Sequence, residues 1–369
     1  MNDRARAQIL ISTGPTGGHL FPALSSAESF QREHPEVEVH LLLNRMPSFV
    51  EPFLRDKKLH VHVIPVSPLP HFFSFKIFQF LLEYVRAIWA TFVLVRELKP
   101  HVVIGFGSYG SVPGILCSAF LRVPILLHEQ NVVPGRANQF LSLWADRIAV
   151  SFPETTGWIG SGKVLWTGYP LRAHFWDAVS CTTLQESGCF TVLVFGGSQG
   201  ARRLNQVFLA ALERIEVEER GRFAVIHIVG MDGVEAIRSS YQRLGIFAEV
   251  YSFSDRISDF YAKADLVIAR AGAGTIFELA AFGRAAILIP YPYAYAHQKL
   301  NAEYVAKRNA VCVVEEQELN AETLWKQISE LQRDRDRRAR LGENMRRLAR
   351  RDAGQALVKT GWELTCGRI

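Results

Sequence analysis

Ala269-Arg-Ala-Gly-Ala-Gly-Thr-Ile-Phe-Glu278 follows directly on the apolar run Leu266–Ala269, and Pro290-Tyr-Pro-Tyr293, His297-Gln298 and Asn301 come after it. The apolar run reads as a strand that stops at a cluster of small residues. Glycine and alanine let a backbone turn approach a ligand closely, and a helix starting there offers unpaired N–H groups to an anion. Glu278 falls early in that helix, where its carboxylate can accept both hydroxyls of a ribose. The stretch therefore reads as a nucleotide clasp, and it sets the fold class: strand, glycine-rich loop, helix.

The same unit recurs along the chain. Gln8–Ser12 reads as a strand, Thr13–Gly18 as a loop and Leu20–Phe30 as a helix, with Val37–Leu43 the next strand. Thr191–Phe195, Gly196–Gly200 and Ala201–Leu212 repeat the pattern. Strands at Ala224–Val229, Ala248–Phe253, Leu266–Ala269, Ala285–Pro290 and Ala310–Val314 alternate with helical segments. Such alternation predicts parallel sheets covered by helices on both faces. The restart near residue 190 predicts two domains, with the irregular segment Gly168–Gly188 between them. Ligands bind such sheets beyond the carboxyl ends of the strands, where all the motifs fall.

Three further blocks carry chemistry. Thr16-Gly-Gly-His19 closes the first loop, and His19 begins a helix, a placement that suits proton transfer. The loop lacks the G-x-G-x-x-G spacing, and the next strand ends at Asn44-Arg45 with no acid for a ribose, which argues against a dinucleotide cofactor. His128-Glu-Gln-Asn131, with Pro134-Gly135 and Asn138, puts four polar residues at a strand end, where burial demands partners. Gly196-Gly-Ser-Gln-Gly-Ala-Arg202, with Leu204-Asn205, offers the Ser198 hydroxyl and helix N–H groups to a diphosphate.

Together the four blocks, in this order and over nearly the whole chain, resemble the MurG family, the glycosyltransferases that form lipid II. The resemblance implies a GT-B fold, an α/β architecture of two Rossmann-like parallel-sheet domains facing a cleft. The first would span 1–168 and receive the acceptor, the second 169–351 and bind the UDP-sugar, with helix 352–369 returning to the first. It implies transfer of N-acetylglucosamine from UDP-N-acetylglucosamine to the 4-hydroxyl of the muramoyl unit of undecaprenyl-linked lipid I. His19 is then the expected base, and Glu129 the second candidate for base or positioner. Thr16, Gly17, Gly18, Asn131, Arg172, Ser198, Phe253, Ser254, Ala273, Gly274, Thr275, Ile276, Phe277, Glu278 and Gln298 are the expected substrate contacts. No cofactor, metal or nucleic-acid partner is expected. The chain departs from the family at Pro15, where a second glycine is usual, and at Tyr169, where asparagine is usual. A UDP-sugar 2-epimerase, which should carry carboxylates in place of the His-Glu-Gln-Asn block, and a non-catalytic sugar-nucleotide scaffold are the rival readings.

The 369 residues suffice for two α/β domains. Five scattered cysteines without a C-x-x-C pair suggest neither disulfides nor zinc, and so a reducing cytoplasm. The N-terminus lacks the apolar core of a signal peptide. Val102–Leu121 is uncharged over 20 residues but is broken by four glycines, Pro113 and three serines, so a strand, a loop and a helix start are expected rather than a membrane span. Between Gln332 and Arg351 nine arginines face three acids, so this segment carries a charge equal to the whole net +6. It reads either as a solvated helix or as a surface drawn to anionic lipid. The aromatic segment Pro70–Val95, with Phe72, Phe73, Phe75, Phe78, Phe80, Tyr84, Trp89 and Phe92, is expected to turn one face to the core and one to lipid. The resulting expectation is a peripheral enzyme on the cytoplasmic face of the plasma membrane.

Overall fold

The computed structural model describes residues 7–47, 54, 58–66, 76–158, 163–181, 188–197, 201–230, 233–292 and 297–366, without the side chains of 76–79. The chain divides into two compact units, Met1–Arg172 with Asp352–Ile369, and Ala173–Arg351.

The first unit is built on seven parallel strands: β1 (Gln8–Thr13), β2 (Glu38–Leu43), β3 (Leu59–Val63), β4 (Val102–Gly105), β5 (Ile125–Glu129), β6 (Arg147–Val150) and β7 (Val164–Trp166). Their order is β3-β2-β1-β4-β5-β6-β7. Ile9 and Ile11 of β1 pack under Leu20, Ala23, Leu24, Ala27 and Phe30 of α1 (Gly17–Glu33). Leu10, one residue out of phase, joins the opposite core with Val95 of α2 (Lys76–Leu98) and Ile115 of α3 (Val112–Phe120). A strand buried on both faces is the mark of a helix-covered parallel sheet. The short helix α4 (Arg136–Leu141) follows β5. The C-terminal helix α13 (Ala353–Thr365) lies against α1, with Leu357 and Val358 in the α1 core. Gly361 makes this approach possible, since a Cβ there would stand 2.8 Å from the Phe30 ring.

The second unit repeats the plan with six parallel strands: β8 (Phe190–Phe195), β9 (Phe223–Ile228), β10 (Phe247–Tyr251), β11 (Leu266–Ala269), β12 (Ala286–Leu288) and β13 (Cys312–Val313), in the order β10-β9-β8-β11-β12-β13. Its helices are α5 (Ala173–Cys181), α6 (Arg202–Leu212), α7 (Val234–Leu244), α8 (Ile257–Lys263), α9 (Ala273–Phe282), α10 (His297–Ala306), α11 (Ala321–Arg333) and α12 (Arg335–Arg346). In each sheet the winding reverses beside the first strand, between β1 and β4 and between β8 and β11. Such switch points leave a crevice at the strand ends, and the predicted glycine-rich loops follow these four strands or lead from them.

Two expectations change. Gly168–Gly188 is not irregular throughout: Ala173–Cys181 is helical, because Phe175 buries itself against Tyr261 and Phe282. The polar run 182–187 lies outside the described residues. The first helix runs Gly17–Glu33 rather than Leu20–Phe30, with Pro22 inside it. Among the described residues no helix is long and apolar enough to cross a membrane, and Val102–Leu121 forms β4, a 3-10 turn and α3.

Candidate active site

At the switch point of the first unit the loops after β1 and β4 touch. Gly14 is required there, since a Cβ would lie 2.4 Å from Ser108 Cβ. Ser108 holds φ 70° and ψ 157°, backbone geometry that costs a non-glycine residue about 1–3 kcal/mol and is concentrated at functional sites. Thr16 caps α1 through its backbone, with Thr16 and Gly18 exposed and Gly17 buried.

His19, in the first turn of α1, is half-buried and held from one side. Its Nδ1 lies 2.8 Å from Phe106 O and 3.1 Å from Gln130 Oε1. A carbonyl oxygen can only accept, so Nδ1 carries the proton and donates. Nε2 then bears the lone pair, and among the described residues nothing bonds to it. An imidazole so fixed is arranged to accept a proton at Nε2. Arg172 belongs to the same unit, buried with its guanidinium 4.7 Å from the centroid of Phe21 on α1.

The block after β5 divides into different tasks. Glu129 is 1% exposed and its carboxylate is saturated. Oε1 accepts from Asn131 N and Asn131 Nδ2, both at 3.0 Å, and Oε2 accepts from Gly135 N at 3.0 Å and Asn138 Nδ2 at 2.8 Å. Four donors tie the loop 130–138 to the strand end. Glu129 is therefore a loop clamp, which suits the second of its two expected roles, base or positioner. Asn131 is half-buried at the loop's start, positioned by the same clamp. His128 is fully buried, and burial lowers its pKa to about 4, outweighing the favourable bond to Gly168 O.

The second unit uses its switch point differently. Gly272 caps α9 with an extended backbone, and Ala273, Gly274 and Thr275 form the helix's first turn. Ile276 and Phe277 point into the core, and Ile276 N donates to Gly272 O within the helix. Glu278, in the second turn, is half-buried and accepts from Tyr261 Oη at 3.0 Å. Burial, and then the Glu278 carboxylate, push the Tyr261 hydroxyl well above its ordinary value, so it stays a donor.

Other tethers shape this loop. Arg270 donates to Ile289 O at 3.1 Å and pairs with Glu316. Asn301 Nδ2 donates to Ala271 O at 3.4 Å, and Gln298 Oε1 accepts from Tyr291 N at 2.9 Å. Arg270 and Tyr261 were not picked out from the sequence; an arginine immediately after an apolar strand was the available signal for the first. Phe253 is exposed beyond β10, and Ser254 Oγ accepts from Arg256 N at 3.1 Å. Ser198, with Gln199 and Gly200, lies outside the described residues. Among those described, no group of three or more His, Cys, Asp or Glu residues is arranged to hold a metal ion.

Comparison with known proteins agrees with this division. Residues 9–150 match the glycosyltransferase family 28 N-terminal domain and residues 191–357 its C-terminal domain. A UDP-N-acetylglucosamine–N-acetylmuramyl-(pentapeptide) pyrophosphoryl-undecaprenol N-acetylglucosamine transferase of Geobacter sulfurreducens is 35% identical over 354 residues, 95% of this chain and 97% of that protein. The crystal structure of Acinetobacter baumannii MurG superposes with a TM-score of 0.77 at 27% identity, over 97% of this chain and 99% of that one. A UDP-N-acetylglucosamine 2-epimerase superposes with a TM-score of 0.64 at 10% identity, over 96% of this chain and 94% of that one, a likeness of fold alone. The chain has the two parallel-sheet Rossmann-like domains of the GT-B class and belongs to the MurG family within glycosyltransferase family 28.

Proposed function

We propose that this protein transfers N-acetylglucosamine from UDP-N-acetylglucosamine to the muramoyl 4-hydroxyl of undecaprenyl-linked lipid I, with inversion, forming lipid II. The observation that carries the chemistry is His19, protonated at Nδ1 and open at Nε2. Nε2 takes the hydroxyl proton as the acceptor oxygen attacks C1 of the sugar, and the C1–O bond to UDP breaks. Glu278, oriented by Tyr261, receives the ribose hydroxyls. The first-turn N–H groups of α9, Ser198 and Arg172 stabilise the diphosphate as its charge develops. Phe253 and the backbone at Ser254 face the uracil, Gln298 and Asn131 the sugar, and Thr16 to Gly18 line the acceptor side.

Purified protein incubated with UDP-N-acetylglucosamine and a soluble lipid I analogue should release UDP and the disaccharide product in equal amounts. UDP release without disaccharide, or epimerised UDP-sugar, would refute the assignment.

The membrane reading rests on α2 and α3. Leu81, Leu82, Val85 and Trp89 form an exposed apolar stripe at helical spacing, with Val85 64% and Trp89 68% exposed. Ala87, Thr91 and Val95 form the buried side of the same helix, and Phe120, 78% exposed, meets Phe92 edge-on. The nearby Arg86 and Arg96 are exposed. Phe72, Phe73, Phe75 and the Phe78 side chain lie outside the described residues. The arginine-rich segment is less available than its charge suggests: Arg337 bonds Glu330, Arg338 bonds Gln332 O, and Arg346 bonds Phe282 O. Anionic vesicles should bind the protein, and Val85→Glu with Trp89→Glu should abolish binding. Unchanged sedimentation of that variant with vesicles would remove α2 from the interface.

A further inference from the structure

Two residues of the His128-Glu-Gln-Asn131 block, Gln130 and His128, have no task in the reaction above, yet they connect to His19, Gln130 directly and His128 through Gln130. His128 Nε2 is 3.2 Å from Gly168 O, which can only accept, so Nε2 holds the proton and Nδ1 holds the lone pair. Gln130 Nε2 lies 3.1 Å from that Nδ1 and 3.1 Å from His128 O, two acceptors that fix which end of the amide is nitrogen. Gln130 Oε1 is thereby turned toward His19 Nδ1 at 3.1 Å. Every donor in the chain from Gly168 O to His19 meets an acceptor, and the reverse arrangement would leave Gly168 O facing a lone pair.

We propose that Gln130 and His128 are positioning residues that hold the His19 ring with its proton at Nδ1 and its lone pair at Nε2. This rests on the reading of His19 as the base. The second acceptor on Nδ1 also stabilises the imidazolium that forms as the acceptor proton arrives. The relay works only while His128 is neutral, because a proton at its Nδ1 would turn the Gln130 amide and aim N–H groups at His19. Burial between Phe106, 5.1 Å away, and Tyr169, 6.4 Å away, keeps it neutral. Tyr169, a departure from the family, is thus one wall of the His128 pocket. A charge on His19, the titratable group whose field reaches His128, lowers the His128 pKa further and so also keeps it neutral.

The test pairs two substitutions of opposite sign. Gln130→Glu places a negative charge beside Nδ1 and should move the acidic limb of the kcat–pH profile upward by about 1–3 pH units. Gln130→Met removes the acceptor and should move it downward, lowering kcat about 3–10-fold, the kinetic equivalent of one neutral hydrogen bond. KM for UDP-N-acetylglucosamine should hold in both, which shows that each variant is folded. His128→Leu should reproduce the Gln130→Met shift, and the double variant should add nothing to it. A purely structural role would lower stability and leave the limb in place; an unmoved limb together with an unmoved His19 titration, followed by nitrogen-15 NMR in Gln130→Glu, would overturn the proposal. If the His19 titration moves while the limb does not, the relay stands and it is the base assignment that falls.

Discussion

The turn between β1 and α1 and the turn between β11 and α9 are the same structural device, furnished differently. Each is a parallel strand ending in small residues at a switch point, followed by a helix. In the first, a side chain is the instrument. His19 is fixed by a carbonyl and an amide belonging to residues 87 and 111 positions away, and the loop above it is clamped by Glu129. In the second, the backbone is the instrument. Ala273, Gly274 and Thr275 form the first turn of α9, and the Glu278 carboxylate accepts from the Tyr261 hydroxyl. Moving a proton requires a group held in one tautomer and one direction, whereas binding a diphosphate requires only donors pointing outward.

Breaking the first turn should have the largest effect. His19→Ala is expected to lower turnover about 10²–10⁴-fold, the scale of a lost general base. Calorimetric affinity for UDP should hold, and the acidic limb of the rate profile should vanish. Glu129→Ala should separate clamp from catalyst: it strips the acceptor from four donors on three residues, so melting should show a loss of about 3 kcal/mol or more. The surviving activity should keep its acidic limb; if the limb disappears with Glu129, the roles assigned to the two residues are reversed.

Damage to the second turn should appear in binding. Glu278→Ala is expected to weaken UDP-N-acetylglucosamine by about 10–100-fold, the value of a charge-assisted hydrogen bond. Tyr261→Phe leaves the carboxylate but removes its guide, so a smaller loss, about 2–10-fold, should follow. Equal donor affinity in all three proteins, measured by calorimetry, would remove the ribose assignment.

The smallest contrast is in acid sensitivity. Burial holds His128 near a pKa of about 4 in the first unit and His227 near about 3 in the second, both below the unfolded value near 6.5. Between those values the unfolded chain binds protons that the folded chain does not. The stabilisation is complete above pH 6.5 and is lost as pH falls toward 4 and then 3. Tm should be flat from pH 8 to 7 and fall steadily from pH 6.5 to 4.5. A Tm unchanged down to pH 4.5 would show that neither histidine is held neutral.

Much of this was legible in one dimension. Leu266–Ala269, the strand of the opening motif, has the bounds expected of it, because an apolar run ending in glycines has few alternatives. Four ordered blocks identified the family, since residue types that recognise a nucleotide sugar are written locally. Strands β3, β6 and β7 were not picked out; β3 and β7, at the sheet's edges, are half-exposed, so they lack the continuous apolar run that marks a buried strand. The arginines of α12 showed their charge in the sequence but not their carbonyl partners.

What the sequence by itself determined was the alternation of strands and helices and the residue types at their junctions, both products of neighbouring side chains. Only the tertiary structure decided that Glu129 clamps a loop, that Tyr261 orients Glu278, and that Gln130 carries the setting of His128 to His19. These are hydrogen bonds whose meaning depends on which partner can only accept. That is settled when the parallel sheet brings the ends of β1, β4 and β5 together, and no local pattern records it.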